Sequence, residues 1–267
     1  MLPAIPMVAV AIPLRRRRLS PSAIVLVALA LLLVHLPGAA GAAAERPPRL
    51  DASAWVLVDR KDGVELAARA PNARRAIAST TKLMTAHLAL SELDPGEKLT
   101  VPDYDAAPAE SVAGLTAGER LTVRDLVVAM MLPSANDAAA TVAAGVSGSQ
   151  RAFVAEMNRA ARRLELDRTH YANPIGLDAP GNYSTAGDLV SLASEMLADR
   201  RFRRIVAMPK ATLRSGDQTR TVTNTNTLLL SDPSVDGVKT GHTSDAGYVL
   251  VASARRHGIP LLAAVLG

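Results

Sequence analysis

The chain has 267 residues, a formal net charge of +5 and no cysteine, which excludes disulfides, thiol nucleophiles and cysteine-ligated zinc. Aromatic residues make up 3% of the chain, too few for base-stacking surfaces, and four of the positive charges fall in the single run 15–18. We therefore expect no nucleic-acid partner and one domain of ordinary size, or one and a half.

Residues 1–44 have the layout of a secretory signal peptide. The arginine run 15–18 precedes the apolar run 23–36, and the small residues 40–42 offer a cleavage site. The apolar run is shorter than the roughly 20 residues that a membrane span needs, and an uncleaved N-terminal anchor is the alternative. Both interpretations predict an extracytoplasmic protein (secreted, periplasmic or on the cell-wall side of the membrane) that is peripheral to the membrane at most.

The pattern of the remaining chain changes from strands to helices and back to strands. Apolar runs at 55–58 and 64–67 flank the turn sequence Lys61-Asp62-Gly63 and predict a β-hairpin. Helical patterns begin near Ser79, follow the caps Thr122 and Thr185, and cover 137–144 and 153–164. Strand patterns return at 235–241, 248–252 and 259–266. We therefore predict an α+β fold in which one antiparallel sheet, built from both chain ends, is covered by a helical cluster.

The first of three short motifs is Ser79-Thr80-Thr81-Lys82. On a helix, residues three apart share a face, so the Lys82 amine can approach the Ser79 hydroxyl. Serine needs a base to act as a nucleophile, and lysine serves if burial or a nearby positive charge lowers its pKa. Alone, the motif is a weak signal, because a capped helix with an exposed lysine gives the same pattern more often.

The second motif, Ser134-Ala135-Asn136, follows Pro133 between two predicted helices. Alternate residues of an extended loop point the same way, so Ser134 and Asn136 are expected to face one cleft. There Ser134 would relay a proton and Asn136 would hold a substrate amide. The structural alternative is a helix N-cap.

The third motif, Lys239-Thr240-Gly241, lies on a predicted strand. Lys239 would supply positive charge, Thr240 would bind a substrate carboxylate, and Gly241 would let a substrate backbone approach closely. The structural alternative is a strand end. Lysine is scarce in this arginine-rich chain, yet it stands in both the first and the third motif, which favours one shared site.

The ordered set S-x-x-K, S-x-N and K-T-G resembles that of the D-alanyl-D-alanine carboxypeptidases. These are the low-molecular-weight penicillin-binding proteins of the S11 serine peptidase family, whose fold is β-lactamase/transpeptidase-like. The likeness runs from about residue 54 to residue 267. It is carried by the stretches 77–85, 132–139, 173–177, 236–243 and 246–248.

The resemblance implies a serine-type carboxypeptidase that acts on peptidoglycan pentapeptides and is inhibited by β-lactam antibiotics. Ser79 would be the nucleophile and Lys82 the general base, with Ser134 and Asn136 completing the catalytic set. The substrate-binding residues would be Lys239, Thr240, Gly241 and His242, and the backbone N–H groups of Ser79 and His242 would form the oxyanion hole. No metal and no organic cofactor is implied.

Three alternatives to this function stay open. A D,D-endopeptidase would use the same residues, and a non-catalytic scaffolding homologue would keep the fold. A β-lactamase is disfavoured because no Glu-x-x-x-Asn sequence occurs between Asn136 and Lys239.

The sequence departs from the family pattern at two places. Thr225 stands where some members carry an arginine near the substrate carboxylate. The chain stops at Gly267, where members usually continue with a helix on the sheet. Residues 45–267 are therefore expected to be a penicillin-binding catalytic domain truncated at its C-terminus.

Overall fold

The computed structural model describes residues 49–267, and the predicted signal segment lies outside the described residues. The strands, in chain order, are β1 (Ala54–Asp59), β2 (Glu65–Arg69), β3 (Lys98–Thr100), β4 (Arg120–Thr122), β5 (Lys210–Ser215), β6 (Gln218–Thr223), β7 (Val235–Thr243), β8 (Gly247–Arg256) and β9 (Ile259–Leu266). The helices are α1 (Lys82–Glu92), α2 (Val123–Met131), α3 (Asn136–Ser147), α4 (Gln150–Arg163), α5 (Ala186–Met196), α6 (Arg200–Val206) and α7 (Leu228–Ser231).

Five strands from the two ends of the described chain form one antiparallel sheet in the order β2-β1-β9-β8-β7. The alternation in β1 explains its orientation, because Ala54, Val56 and Val58 are buried while the residues between them are partly exposed. Helix α5 packs against β9 and β1. The predicted α+β class, with a sheet built from both chain ends, is confirmed.

Local signals predicted several element boundaries correctly. The Thr122 and Thr185 hydroxyls accept hydrogen bonds from the N–H groups of Asp125 and Asp188, each at 3.0 Å, so both predicted caps are present. The predicted turns between β1 and β2 and between β8 and β9 are also observed. The two-stranded sheets β3–β4 and β5–β6 and the helices α6 and α7 were not predicted.

The start of α1 differs from the prediction. Ser79 lies in a 3₁₀ turn that spans Ala78–Thr81, and the α-helix begins only at Lys82. The turn is tight because the N–H of Thr80 donates to the carbonyl of Ile77 at 3.1 Å. The Ser79 side chain makes no capping hydrogen bond, which leaves its hydroxyl to face Lys82.

No helix within residues 49–267 is long and apolar enough to cross a bilayer.

Candidate active site

The Ser79 hydroxyl and the Lys82 amine are in direct contact at the start of α1. Lys82 Nζ donates to Ser79 Oγ at 3.1 Å and to the carbonyl oxygen of Ile175 at 2.5 Å. The Lys82 side chain is fully buried. Burial is the main reason that the pKa of the Lys82 amine lies well below that of a free lysine, and the positive charge of Lys239 lowers it further. This amine is therefore suited to accept a proton from the serine.

The loop that supplies the Ile175 carbonyl is fixed by its own side chains. Asn173 Oδ1 accepts hydrogen bonds from the N–H groups of Ile175 (3.3 Å) and Gly176 (2.7 Å). Gly176 has φ +87°, and a Cβ there would lie 2.2 Å from the carbonyl oxygen of Ala78. Only glycine fits between this loop and the nucleophile turn. The sequence marked this stretch as part of the resemblance but did not indicate its contact with Lys82.

The second motif is bent rather than extended. Ser134 has φ +68°, and Asn136 is the first residue of α3, so the expectation of alternate residues in an extended loop is wrong. The tight bend between α2 and α3 is the reason, since the N–H of Ala135 folds back to the carbonyl of Ala129 at 3.0 Å. Ser134 Oγ is buried and has no hydrogen-bond partner among the described residues.

A carboxylate that the sequence did not indicate contacts the second motif. Asn136 Nδ2 donates to Glu110 Oε2 at 2.8 Å, and the Tyr104 hydroxyl donates to the same oxygen. Burial raises the pKa of Glu110, but the hydrogen bonds from Tyr104 and Asn136 outweigh it, so the net pKa is lowered. No spacing in the sequence pointed to Glu110, because it reaches Asn136 from the long connection between β3 and β4.

The third motif lies on β7 beside the nucleophile turn. A Cβ at Gly241 would lie 2.9 Å from the backbone nitrogen of Ser79, so this strand passes directly against the serine. Lys239 is buried, and burial lowers its pKa to about 7. Its Nζ donates to the carbonyl oxygen of Thr240 at 2.8 Å.

Thr225, which departs from the expected family pattern, contacts the same motif. Its Oγ1 lies 2.6 Å from Thr240 Oγ1, and its backbone N–H donates to the carbonyl of Leu132 at 3.1 Å. Two hydroxyls therefore lie side by side at the end of the cleft. They form a neutral pair of donors and acceptors.

His242 lies on the exposed end of β7, where its ring packs against Tyr248 with the centroids 4.5 Å apart. The next residue, Thr243, donates through Oγ1 to Asp178 Oδ1 at 2.7 Å. Asp178 also accepts from the N–H of Asp245 at 3.1 Å. These bonds join the β7–β8 turn to the loop that carries Ile175, so two walls of the cleft are tied together.

Most of the predicted site residues thus surround one serine. The fold brings four of them together directly, namely Ser79, Lys82, Lys239 and Gly241. Asn136 contacts Glu110, and the charge of Glu110 acts on Lys82. Ser134 lies in the bend before α3 without a hydrogen bond to the other site residues. The arrangement offers a hydroxyl nucleophile, a desolvated amine, a second buried lysine and backbone N–H groups at a strand edge, which together suit acyl transfer.

The family match and the similar proteins all carry the same description. Residues 41–267 match the Peptidase_S11 family, described as D-alanyl-D-alanine carboxypeptidase. The chain is 36% identical over 223 residues to D-alanyl-D-alanine carboxypeptidase DacF of Bacillus subtilis, covering 81% of this chain and 57% of that protein. It is also 36% identical over 255 residues to the D-alanyl-D-alanine carboxypeptidase of Streptomyces sp. strain K15, covering 89% of this chain and 88% of that protein.

The solved structure of the Streptomyces K15 DD-transpeptidase superposes with a TM-score of 0.76 at 34% identity, covering 82% of this chain and 91% of that one. The fold is therefore that of the penicillin-binding DD-peptidases. The present chain spans less than two thirds of the Bacillus relative.

Proposed function

Because the chain belongs to the S11 D-alanyl-D-alanine carboxypeptidase family, we propose that it is a serine-type carboxypeptidase. It would remove the terminal D-alanine of peptidoglycan peptides through an acyl-enzyme on Ser79. The observation that carries the proposal is the 3.1 Å contact between Ser79 Oγ and the buried amine of Lys82.

Acylation needs a neutral Lys82. The lowered pKa of this amine raises the fraction in the neutral form above that of a free lysine. Ser79 Oγ then attacks the carbonyl between the two D-alanines, while its proton passes to Lys82 Nζ. The backbone N–H groups of Ser79 and His242 would stabilise the oxyanion, each worth about 3 kcal/mol in comparable enzymes.

Collapse of the tetrahedral intermediate breaks the C–N bond, and the leaving amine takes up a proton. Ser134, whose buried hydroxyl has no hydrogen-bond partner among the described residues, would pass that proton on from Lys82. Water then attacks the ester on Ser79 while one of its protons passes to Lys82, and the ester C–O bond breaks as Lys82 returns that proton to Ser79 Oγ. The products are the shortened peptide, free D-alanine and the original enzyme.

Recognition of the substrate carboxylate would fall to Thr240 and Thr225, and the amine of Lys239 lies next to them, bonded to the Thr240 carbonyl. Asn136 would hold the peptide amide on the acyl side. Gly241 leaves room for the peptide backbone to run along β7, where a side chain would collide with Ser79. β-Lactam antibiotics, which carry both the carboxylate and the reactive amide, would acylate Ser79 in the same orientation.

A transfer activity is the second candidate, because the similar Streptomyces K15 structure is named a DD-transpeptidase. In that reaction an amine, not water, would attack the same acyl-enzyme. Adding an amine acceptor such as glycylglycine separates the two, since transfer gives a new peptide product and hydrolysis does not. A crosslinked muropeptide dimer tests for D,D-endopeptidase activity, because only an endopeptidase would cleave the crosslink.

We infer an extracytoplasmic location, with residues 1–44 acting as a secretory signal and the domain from residue 45 carrying the activity. The arginine run and apolar stretch of this segment support the inference. Expression of the full chain in a secreting bacterium, followed by N-terminal sequencing of the protein outside the cytoplasm, tests it. Retention of the intact chain in the cytoplasm would contradict it.

Intact-mass spectrometry after exposure to benzylpenicillin tests the proposed function, with Ser79→Ala as the control. We expect a lasting adduct of one drug molecule on the wild type and none on the variant. Release of D-alanine from a D-Ala-D-Ala peptide should be lost in the same variant. Rapid drug hydrolysis without an adduct would indicate a β-lactamase, and a folded protein with neither reaction would indicate a non-catalytic homologue.

A further inference from the structure

Ala78, the residue before the nucleophile, has a backbone conformation that alanine rarely adopts. Its φ is +45°, in the left-handed region, where the Cβ of an L-residue comes too close to the following carbonyl oxygen. Such a conformation persists only where the surrounding structure imposes it, and conformations of this kind cluster at functional sites. Because Ala78 is also enclosed (1% exposed), its neighbours must hold it in this conformation.

Two chain segments enclose Ala78, and each of them has a glycine at the contact. On the side of the carbonyl group, a Cβ at Gly176 would lie 2.2 Å from the Ala78 oxygen. On the side of the methyl group, a Cβ at Gly241 would lie 3.0 Å from the Ala78 Cβ. The loop 173–177 and strand β7 therefore hold this residue between them.

The methyl group of Ala78 is the unexpected part of this contact. Glycine adopts a positive φ without a steric penalty, so a glycine would be expected at position 78. The chain instead has glycine at both partner positions and a side chain at the strained residue. The clearance for the contact is thus provided by Gly176 and Gly241, and the methyl group is retained where it adds to the backbone strain.

The methyl group limits how closely the nucleophile turn can approach β7. A Cβ at Gly241 would also lie 2.9 Å from the Ser79 nitrogen, so the Ala78 methyl and the Ser79 nitrogen both lie against Gly241. His242 follows Gly241 on the same strand. The two expected oxyanion donors, the N–H groups of Ser79 and His242, therefore lie on the two segments that the methyl group keeps apart.

Hydrogen bonds close the nucleophile turn around Ala78. The carbonyl of Ile77 accepts from the N–H of Thr80 at 3.1 Å and from the Thr80 hydroxyl at 2.6 Å. At positive φ an alanine has only a small allowed region, whereas a glycine has a broad one. Alanine at position 78 thus confines the orientation of Ser79 within the closed turn, and glycine would leave it freer.

We propose that Ala78 is a positioning residue, whose methyl group packs against β7 and holds Ser79 in the orientation for attack on the scissile carbonyl. This inference rests on the proposed function. It assigns Ala78 no contact with the substrate and no part in proton transfer. The effect should fall on the chemical step of acylation, because that step depends on the alignment of the reacting atoms.

The test compares acylation of the wild type and Ala78→Gly by benzylpenicillin, followed by rapid mixing at drug concentrations that approach saturation. The concentration dependence separates the dissociation constant of the first complex from the rate constant of acylation. We expect the rate constant to fall by about 10- to 100-fold, as for a small misplacement of reacting groups, while the dissociation constant stays within about twofold of the wild type. The midpoint of urea denaturation should stay close to that of the wild type, because relief of the backbone strain offsets the loss of a buried methyl group.

Ala70→Gly is the matched control. Ala70 has nearly the same φ, +47°, but it is exposed and follows β2, at the edge of the sheet opposite β7. The substitution relieves the same kind of backbone strain and adds the same flexibility, so it should leave both acylation constants unchanged. Urea denaturation of each variant shows that the compared proteins are folded.

The outcomes separate this inference from the proposed function. If the wild type is not acylated, the proposed function fails and the inference fails with it. If the wild type is acylated and Ala78→Gly has the same rate constant, Ala78 has no positioning role. A weaker first complex with an unchanged rate constant, or an equal loss of rate in Ala70→Gly, also overturns the inference. A lower rate constant in folded Ala78→Gly alone supports it.

Discussion

The amine of Lys82 lies 3.1 Å from the hydroxyl of Ser79, and the side chain that carries it is completely shielded from solvent. A lysine in that position loses hydration that would favour its charged form. Burial therefore lowers the pKa of the amine that contacts the serine hydroxyl, which is the property that a general base for Ser79 would need.

Replacement of the base is the first prediction. Lys82→Met keeps the length and burial of the side chain but removes the proton acceptor. We expect the acylation rate with benzylpenicillin to fall by about 10²- to 10⁴-fold, the usual contribution of a general base. Time-resolved intact-mass spectrometry measures this rate.

Lys98→Met is the matched control, because Lys98 is exposed on β3. It should acylate at the wild-type rate. An unchanged rate in folded Lys82→Met would show that another group removes the serine proton.

Gly176 provides a test of the fit between the loop 173–177 and the nucleophile turn. A Cβ at this position would lie 2.2 Å from the Ala78 carbonyl oxygen, and the backbone has φ +87°. Gly176→Ala should therefore lower the free energy of unfolding by about 3 kcal/mol or more, from the sum of the left-handed backbone cost and the clash. Acylation should fall as well, because the Ile175 carbonyl would move away from Lys82.

Gly118→Ala is the control for backbone strain. Gly118 has φ +85°, and a Cβ there would meet no atom within 4 Å. We expect it to cost only about 1–2 kcal/mol and to leave acylation unchanged. Equal destabilisation of the two variants in urea denaturation would show that the close contact at Gly176 is relieved.

The sequence predicted the features of the fold that depend on residues close together in the chain. The sheet strands have long apolar runs, and the caps at Thr122 and Thr185 need only a neighbour three residues away. The hairpin β5–β6 was not predicted because it buries few apolar side chains, among them Leu213 and Val222.

The parts of the site that the sequence did not predict depend on distant neighbours. The carbonyl that holds Lys82 belongs to a residue 93 positions away, and any residue type supplies a carbonyl. Glu110 lies 26 positions before Asn136, at no motif spacing. Only the folded chain shows that these groups meet.

The two buried lysines should make stability depend on pH. The pKa of Lys239 is about 7 in the folded protein and 10.5 for a free side chain. Between these values the unfolded chain binds more protons than the folded one, so the free energy of unfolding rises with pH. The slope is at most about 1.4 kcal/mol per pH unit for one lysine, and Lys82 acts in the same direction.

Lys239→Met should remove the part of this pH dependence of the free energy of unfolding that Lys239 contributes. We expect the variant to be more stable than the wild type near neutral pH, and the difference should shrink as the pH rises toward 10.5. Urea denaturation at several pH values measures it, with Lys210→Met on the exposed edge of β5 as the control. Parallel slopes in the wild type and Lys239→Met would mean that Lys239 stays protonated when buried.

Carboxylate recognition is the last property that the structure makes testable. The hydroxyls of Thr225 and Thr240 lie 2.6 Å apart, at the expected position of the substrate carboxylate. Thr225→Arg adds a permanent positive charge beside the expected carboxylate position, and the backbone bond from Thr225 to Leu132 is kept because it does not involve the side chain. We expect KM for a D-Ala-D-Ala peptide to fall by about tenfold, since a hydrogen bond to a charged group contributes about 1.5–3 kcal/mol.

The comparison that decides this prediction is a peptide with an amidated C-terminus. Thr225→Arg should leave its KM unchanged, because the new guanidinium has no carboxylate to pair with. Thr221→Arg, at an exposed position of β6, adds the same charge away from the cleft and should change neither KM. If Thr225→Arg improves both peptides equally, the charge acts on the substrate as a whole. The two threonine hydroxyls would then not mark the carboxylate site.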